Sequence, residues 1–199
     1  MKIVDLTVTP ADDRTAVAAI AAEAQVNFKD CYQCGKCSAG CPMVQGMDLM
    51  PREVIRYLQL GKVQEVLNSK TPWVCAQCGV CTARCPQNVD ICATMRAVRH
   101  AAKDAGITPV READVFEDEF IKNVRAHGRS NEQYLAMKYN LRSGHLMQDV
   151  DSAPAMFARG MIGIATHNID SRDEVSALID RVLQNNGAAK EAPKGGDAS

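Results

Sequence analysis

The chain has 199 residues, 46% of them hydrophobic, which suits one domain with an appended lobe and allows a core. Its 23 basic and 24 acidic residues leave a formal charge of −1, so the composition gives no footprint for nucleic acid. No apolar run approaches a membrane span, and the start Met1-Lys2-Ile3-Val4-Asp5 carries no export segment, so the expected location is the cytoplasm.

Ile3 to Val8 alternate enough to predict a short edge strand or an extended arm. Thr9-Pro10-Ala11-Asp12-Asp13 reads as a helix start, with proline at the first helical position and acids in the first turn. Val17, Ile20, Ala21 and Ala24 give that helix an apolar stripe, and it leads to Phe28 and a run of cysteines. Pro51 opens a second helix bearing Val54, Ile55 and Leu58, which Gly61 breaks. Val63, Val66 and Leu67 mark a third, ending near Asn68. Trp73 stands two residues before a second cysteine run, where it is expected to shield a metal site or anchor a partner. Ile91, Met95, Val98 and Ala102 then predict a helix ending at Gly106. Two more are predicted from Glu112 to Ala126, with Phe116, Phe120 and Val124 on one face, and from Glu132 to Leu141. From Gly144 to Asn168 the pattern is unreadable, as in Met161-Ile-Gly-Ile164. Ser171-Arg-Asp-Glu174 is a capping-box pattern before Val175, Leu178, Ile179 and Val182. From Gln184 the polar, glycine-rich tail is expected to be disordered. The expected organisation is an arm and helix over 1–26, a cysteine-rich helical domain over 27–106, a helical extension over 107–183 that docks partners, and a tail over 184–199.

Eight of the nine cysteines carry the chemistry. They form Cys31-Tyr-Gln-Cys34-Gly-Lys-Cys37-Ser-Ala-Gly-Cys41-Pro42 and Cys75-Ala-Gln-Cys78-Gly-Val-Cys81-Thr-Ala-Arg-Cys85-Pro86. Both read C-x2-C-x2-C-x3-C-P, the spacing of two-cluster ferredoxins, in which the fourth cysteine of each run ligates the other run's cluster. That rule assigns Cys31, Cys34, Cys37 and Cys85 to one [4Fe–4S] cluster, and Cys75, Cys78, Cys81 and Cys41 to a second. The implied function is one-electron transfer, and the metal-free chain is expected to lose the fold of its first half. Zinc more often takes separated C-x2-C pairs. A disulfide framework belongs to small secreted chains. A thioredoxin-like pair would leave most of these thiols without a role.

A shift of 44 residues, from Cys31 to Cys75, superposes all four cysteines and also Gln33 on Gln77, Gly35 on Gly79, Ala39 on Ala83 and Pro42 on Pro86. Gly35 and Gly79 are expected to supply backbone angles barred to other residues and a close approach to sulfur. Pro42 and Pro86 check the chain after the fourth cysteine. The alanines read as packing residues. Lys36 and Arg84 are candidates for offsetting cluster charge. Cys92 lies outside the runs and reads as a small apolar filler. Met43, Met47 and Met50 read as packing, and His100, His127, His145 and His167 share no ligand spacing. There is no dinucleotide fingerprint and no P-loop. The helical spacer between the runs points to a mainly α, α-helical ferredoxin-type domain binding two [4Fe–4S] clusters, with additional C-terminal helices.

The two runs, with M-D-L-M-P-R-E-V-I-R-Y-L-Q-L-G at 47–61 and W-V-C-A-Q-C-G-V-C-T-A-R-C-P-Q-N-V-D-I at 73–91, resemble the C-type iron–sulfur component of heterodisulfide reductase and its bacterial relatives. The resemblance covers roughly residues 25–105 by its motifs. It implies a cytoplasmic electron-relay subunit with two [4Fe–4S] clusters and no substrate chemistry of its own. Its implied partners are a flavin-containing A-type subunit and a B-type subunit with CCG motifs, in a hetero-oligomer that in the family is often a dimer of ABC units. The C-x2-C runs are also similar to iron–sulfur subunits of glycolate, glycerol-3-phosphate or succinate dehydrogenases, which feed quinone. Several of those carry CCG repeats or a further cluster domain on the same chain, and this chain has neither.

Overall fold

The computed structural model describes residues 11–145, 148, 153–159 and 168–191. The arm expected over Ile3 to Val8, the Thr9-Pro10 start, Met161 to Ile164, His167 and the last eight residues lie outside the described residues. All regular elements among the described residues are helical. The chain divides into two compact units, Met1–Val110 and Arg111–Ser199.

The first unit contains α1 (Ala11–Ala24), α2 (Lys36–Ala39), α3 (Pro51–Gln59), α4 (Val63–Leu67), α5 (Thr71–Val74), α6 (Val80–Ala83) and α7 (Ile91–Asp104). Pro51 occupies the first turn of α3, where its missing N–H costs nothing, and the Glu53 carboxylate accepts the Met50 N–H at 2.8 Å. One face of α3 sends Val54, Ile55 and Leu58 inward, and Gly61 at φ +70° ends the element. The Asp90 carboxylate caps α7 by accepting the Ala93 N–H at 2.8 Å. Helices α1, α4 and α5 pack on α7, and α3 packs on α4. Their shared core holds Ile20, Val54, Ile55, Leu58, Val63, Val66, Met95 and Val98, each at 2% exposure or less. Each aliphatic side chain so buried contributes about 1.5–3 kcal/mol. None of these residues is a cysteine, and of them only Met95 also lines the thiol site described below.

The helices expected around Val54, Val63 and Val98 all form. The single turns α2, α5 and α6 were not legible, because four residues show no period. Trp73 departs from its expected role. It is 5% exposed, on α5 against α7, with the Arg99 guanidinium 4.9 Å from its ring centroid. It is a core residue, and that burial removes it as a partner anchor.

Polar side chains tie the spacer to the cysteine runs. Gln59, at the end of α3, donates through Nε2 to the carbonyls of Phe28 and Cys31, both at 2.8 Å. The Arg52 N–H donates to Ser38 Oγ at 3.1 Å, fixing α3 to α2. Asp48 is the busiest. Its Oδ1 accepts from Ser69 Oγ at 2.6 Å, Thr71 Oγ1 at 2.9 Å and the Thr71 N–H at 3.1 Å, and Oδ2 accepts the Lys70 N–H at 3.1 Å. Burial pushes this carboxyl's pKa up, and the hydrogen bonds from Ser69, Thr71 and Lys70 outweigh it and hold it below the ordinary value. A carboxyl depressed in the folded state adds stability above its unfolded pKa, and that stability is lost as pH falls through the folded one. Asp48→Ala is therefore expected to lower the stability of the holoprotein by about 1–2 kcal/mol, since the buried Ser69 hydroxyl loses its acceptor and the carboxylate is partly solvated. Urea unfolding at neutral pH should show this loss, and the gap to wild type should narrow as the pH falls below the ordinary carboxylate range. A gap that stayed constant with pH would show that the charge is not what matters.

The second unit contains α8 (Arg111–His127), α9 (Glu132–Ser143), α10 (Ala153–Ala158) and α11 (Arg172–Glu191). Helices α9 and α11 pack on α8. Its interior is unusually polar. Glu119, 4% exposed, pairs with Lys122 at 3.0 Å and with Arg142, and burial of its carboxyl is outweighed by those partners, so its pKa lies below the ordinary value. Asn123 is fully buried and exchanges two hydrogen bonds with the Asn131 backbone, at 2.8 and 3.3 Å. Gly128 sits at φ +73°, where an added Cβ would come within 2.5 Å of Ile169 Cγ1 and 3.1 Å of Arg172 Cα. Phe116 and Phe120 stack with centroids 6.2 Å apart yet remain 45% and 38% exposed. Helix α11 runs past Gln184, where the disordered tail was expected to begin, to Glu191. Its Ala188-Ala-Lys-Glu191 stretch favours helix.

Candidate metal centre

Each cysteine run folds into the same turn. Gln33 and Gly35 take φ of 63° and 80°, and their counterparts Gln77 and Gly79 take 51° and 75°. One helical turn follows in each case, α2 at Lys36–Ala39 and α6 at Val80–Ala83. A Cβ on Gly79 would meet nothing within 4 Å, and one on Gly35 would meet only the Arg52 side chain, at 3.8 Å or more. The demand for glycine is thus the left-handed backbone, not space.

This turn aims donors at sulfur. The Gln77 N–H bonds the Cys75 thiol, and the Ser38 and Thr82 N–H groups do the same for Cys37 and Cys81. Gln33 Nε2 lies 3.5 Å from Cys31 Sγ. Burial pushes the Cys37, Cys75 and Cys81 thiols above their ordinary pKa, Cys81 to about 11, against the pull of those donors. Thiols this reluctant to ionise alone become thiolates when a cation takes them.

The eight cysteines fall into two sets. Cys41, Cys75, Cys78 and Cys81 line one concave space, open in part to solvent. Pro42, Met43, Met47, Pro51, Val80 and Met95 make its largely apolar wall, and Cys41 Sγ lies 4.0 Å from Met47 Sδ. Among the described residues no three cysteine, histidine, aspartate or glutamate side chains converge on a point as they do around one ion. The other set gathers at Tyr32. Desolvation first, then a hydrogen bond with the Cys34 thiol and the charge of Cys34, Cys85 and Cys31, raise its phenol above the ordinary pKa. Cys37, buried, feels Cys31. Helices α2 and α6 pack together, and Arg84 lies across Gly40, whose added Cβ would come within 2.8 Å of the guanidinium. Each run thus places its fourth cysteine beside the other run.

The remaining candidates are simpler. Pro42, Pro86, Lys36 and Arg84 are exposed. Ala39 and Ala83, expected to pack, are exposed too, because each closes a helical turn on its outer side. Met43 and Met47, expected only to pack, bring soft sulfur to the cavity wall. Cys92, expected to be a filler, lines that wall as a fifth thiol. His100 bonds Glu23 at 2.5 Å, and His127 bonds Asn168 Oδ1 at 3.2 Å, both away from the thiols. Sequence reasoning missed Asp48 and Gln59, whose roles lie in contacts 21 to 31 residues distant. It missed the Thr82–Asp90 bond at 2.7 Å for the opposite reason, since a local bond of that kind leaves no periodic mark.

Four thiols around a space wider than one ion, with N–H donors at sulfur and an apolar wall, suit an iron–sulfur cluster. The 4Fe-4S dicluster domain family matches residues 30–90. The chain is 38% identical over 84 residues to the C-type iron–sulfur component of the CoB–CoM heterodisulfide reductase of Methanopyrus kandleri, covering 42% of this chain and 44% of that one. It is 36% identical over 80 residues to the C2 component of the H2/formate:CoB-CoM heterodisulfide,ferredoxin reductase of Methanococcus maripaludis, covering 40% and 43%. It is 32% identical over 93 residues to the C-type component of the ferredoxin:CoB-CoM heterodisulfide reductase of Methanosarcina acetivorans, covering 47% and 37%. The chain therefore spans less than half the length of these curated relatives. No helix of the described residues is long and apolar enough to cross a membrane. Residues 30–90 match the 4Fe-4S dicluster domain family, and through them the chain is similar to the C-type iron–sulfur components of heterodisulfide reductases.

Proposed function

We propose that this chain is an electron-relay subunit with two [4Fe–4S] clusters, one on Cys31, Cys34, Cys37 and Cys85, the other on Cys75, Cys78, Cys81 and Cys41. When bound, such clusters accept and release single electrons. The chain's own residues hold and tune them. Cysteines bind the iron, the Gln77, Ser38 and Thr82 N–H groups stabilise charge on sulfur, and the methionines and Pro51 keep water from the second site. The observation that carries this reading is the placement of Cys41 among Cys75, Cys78 and Cys81.

The complex is inferred from the relatives. The chain passes electrons between a flavin-containing A-type subunit and a CCG-bearing B-type subunit in the cytoplasm, as part of a hetero-oligomer built from ABC units. Thiol–disulfide chemistry belongs to the B-type subunit, and this chain performs none. Lys36, Arg84, Gly35, Gly79, Pro42 and Pro86 support the clusters from outside the ligand set. The second unit supplies docking surface through exposed apolar residues such as Phe116, Met137 and Leu141.

Gentle anaerobic purification from the native cell tests this. Recovery with a flavin-bearing and a CCG-bearing protein, and about eight irons per chain, is expected. A protein that travels without either partner would remove the complex, and one that carries zinc without iron would remove the electron-transfer reading.

A further inference from the structure

Cys92 is the one cysteine outside both runs, and it lies on the wall shared by Cys41, Cys75, Cys78 and Cys81. It is the second residue of α7 and is held in place from two sides. Its N–H donates to Thr82 Oγ1 at 3.1 Å, and the Thr82 hydroxyl donates to Asp90 Oδ1 at 2.7 Å, the cap of the same helix. Thr82 directly follows Cys81, so the residue beside one thiol fixes the helix that presents another. Cys92 is half-buried. Met95, one turn further along α7, lines the same space.

Five thiols therefore surround a site that needs four. We propose that Cys92 is a reserve ligand of the second cluster, placed to take the corner of Cys75 or Cys81 when that ligand is absent or detached. The inference rests on the cluster reading above. The exchange is redox-neutral. The Fe–Sγ bond to Cys75 (or Cys81) breaks and one to Cys92 forms. The Cys92 thiol releases a proton and the departing thiolate takes one, so iron count and oxidation state do not change.

The test uses the full chain, purified anaerobically, with Cys75→Ala, Cys92→Ala and the two combined. Wild type and both single variants are expected to hold about eight irons per chain, and the combined variant about four. Alkylation of the native holoprotein by iodoacetamide, read by mass spectrometry, should label Cys92 in wild type and spare it in Cys75→Ala. Cys81→Ala, alone and with Cys92→Ala, is a second, independent pair, and rescue in either pair supports the proposal. Both single ligand variants falling to about four irons with Cys92 still alkylated overturns it, as does a combined variant that keeps about eight. A wild-type chain without iron would instead remove the cluster reading itself, and the reserve role with it.

Discussion

A chain carrying Cys34→Ala and Cys85→Ala together is expected to retain about four irons, no fewer than Cys34→Ala alone. The two residues are 51 positions apart and sit in different runs. If each run built its own cluster, removing one ligand from each would empty both sites. If they share a cluster, the second substitution adds nothing. The Tyr32 phenol feels Cys31, Cys34 and Cys85 together, which places Cys85 with the first run. Neither residue lines the space that Cys92 faces, so the reserve thiol does not blur the result. Iron and sulfide analysis, with electron paramagnetic resonance after dithionite, decides the matter. An iron-free double variant beside a four-iron single variant would establish sequential ligation in place of exchange.

Removal of iron is expected to melt the two runs and spare the helices between and around them. The energetic reason is local. Helices α2 and α6 have four residues each, far below the length at which a helix holds itself. Buried residues in α2 are only Cys37 and Ser38, and α6 has none. Gln33 and Gln77, two non-glycine residues held at left-handed angles, add backbone strain that nothing apolar offsets. By contrast Val54, Ile55, Leu58, Val63, Val66 and Val98, none of them a candidate ligand, are buried together between the longer helices. This narrows the expectation that the whole first half unfolds. Hydrogen exchange of the chelator-treated chain should rise on the order of a hundredfold in both runs, while α3 and α7 stay protected. Runs that keep their protection without iron would mean that protein contacts, not metal, hold the turns.

The legible part of this molecule was its chemistry. Thiol spacing is a local pattern, and α1, α3 and α7 announce themselves through Ile20, Val54 and Met95 at helical intervals. What stayed hidden was mostly long-range. Gln59 looks like any polar helix residue until its amide meets the Phe28 and Cys31 carbonyls. Trp73 could have anchored a partner as far as its place before Cys75 shows, yet α5 turns the ring into the core beneath Arg99. Cys92 looked inert because a lone intracellular cysteine is most often a small apolar filler, yet its neighbours in space are thiols.

The repeated turn is a single backbone copied with unequal walls. Where the first copy has Tyr32 and Lys36, the second has Ala76 and Val80, and Arg84 of the second stands where the first has Gly40. In the proposed ligand sets, Tyr32 and Lys36 belong to the run that supplies three ligands of one cluster, while Val80 and the thioethers of Met43 and Met47 wall the other. The Arg84 guanidinium lies across Gly40, next to Cys41 in sequence, so its charge is shared between the two sites. With both clusters bound, an added electron would be better accommodated beside Lys36 than behind the apolar wall, a downhill step toward the Tyr32 end. A potentiometric titration in which the methionine-walled centre reduces first would reverse the slope.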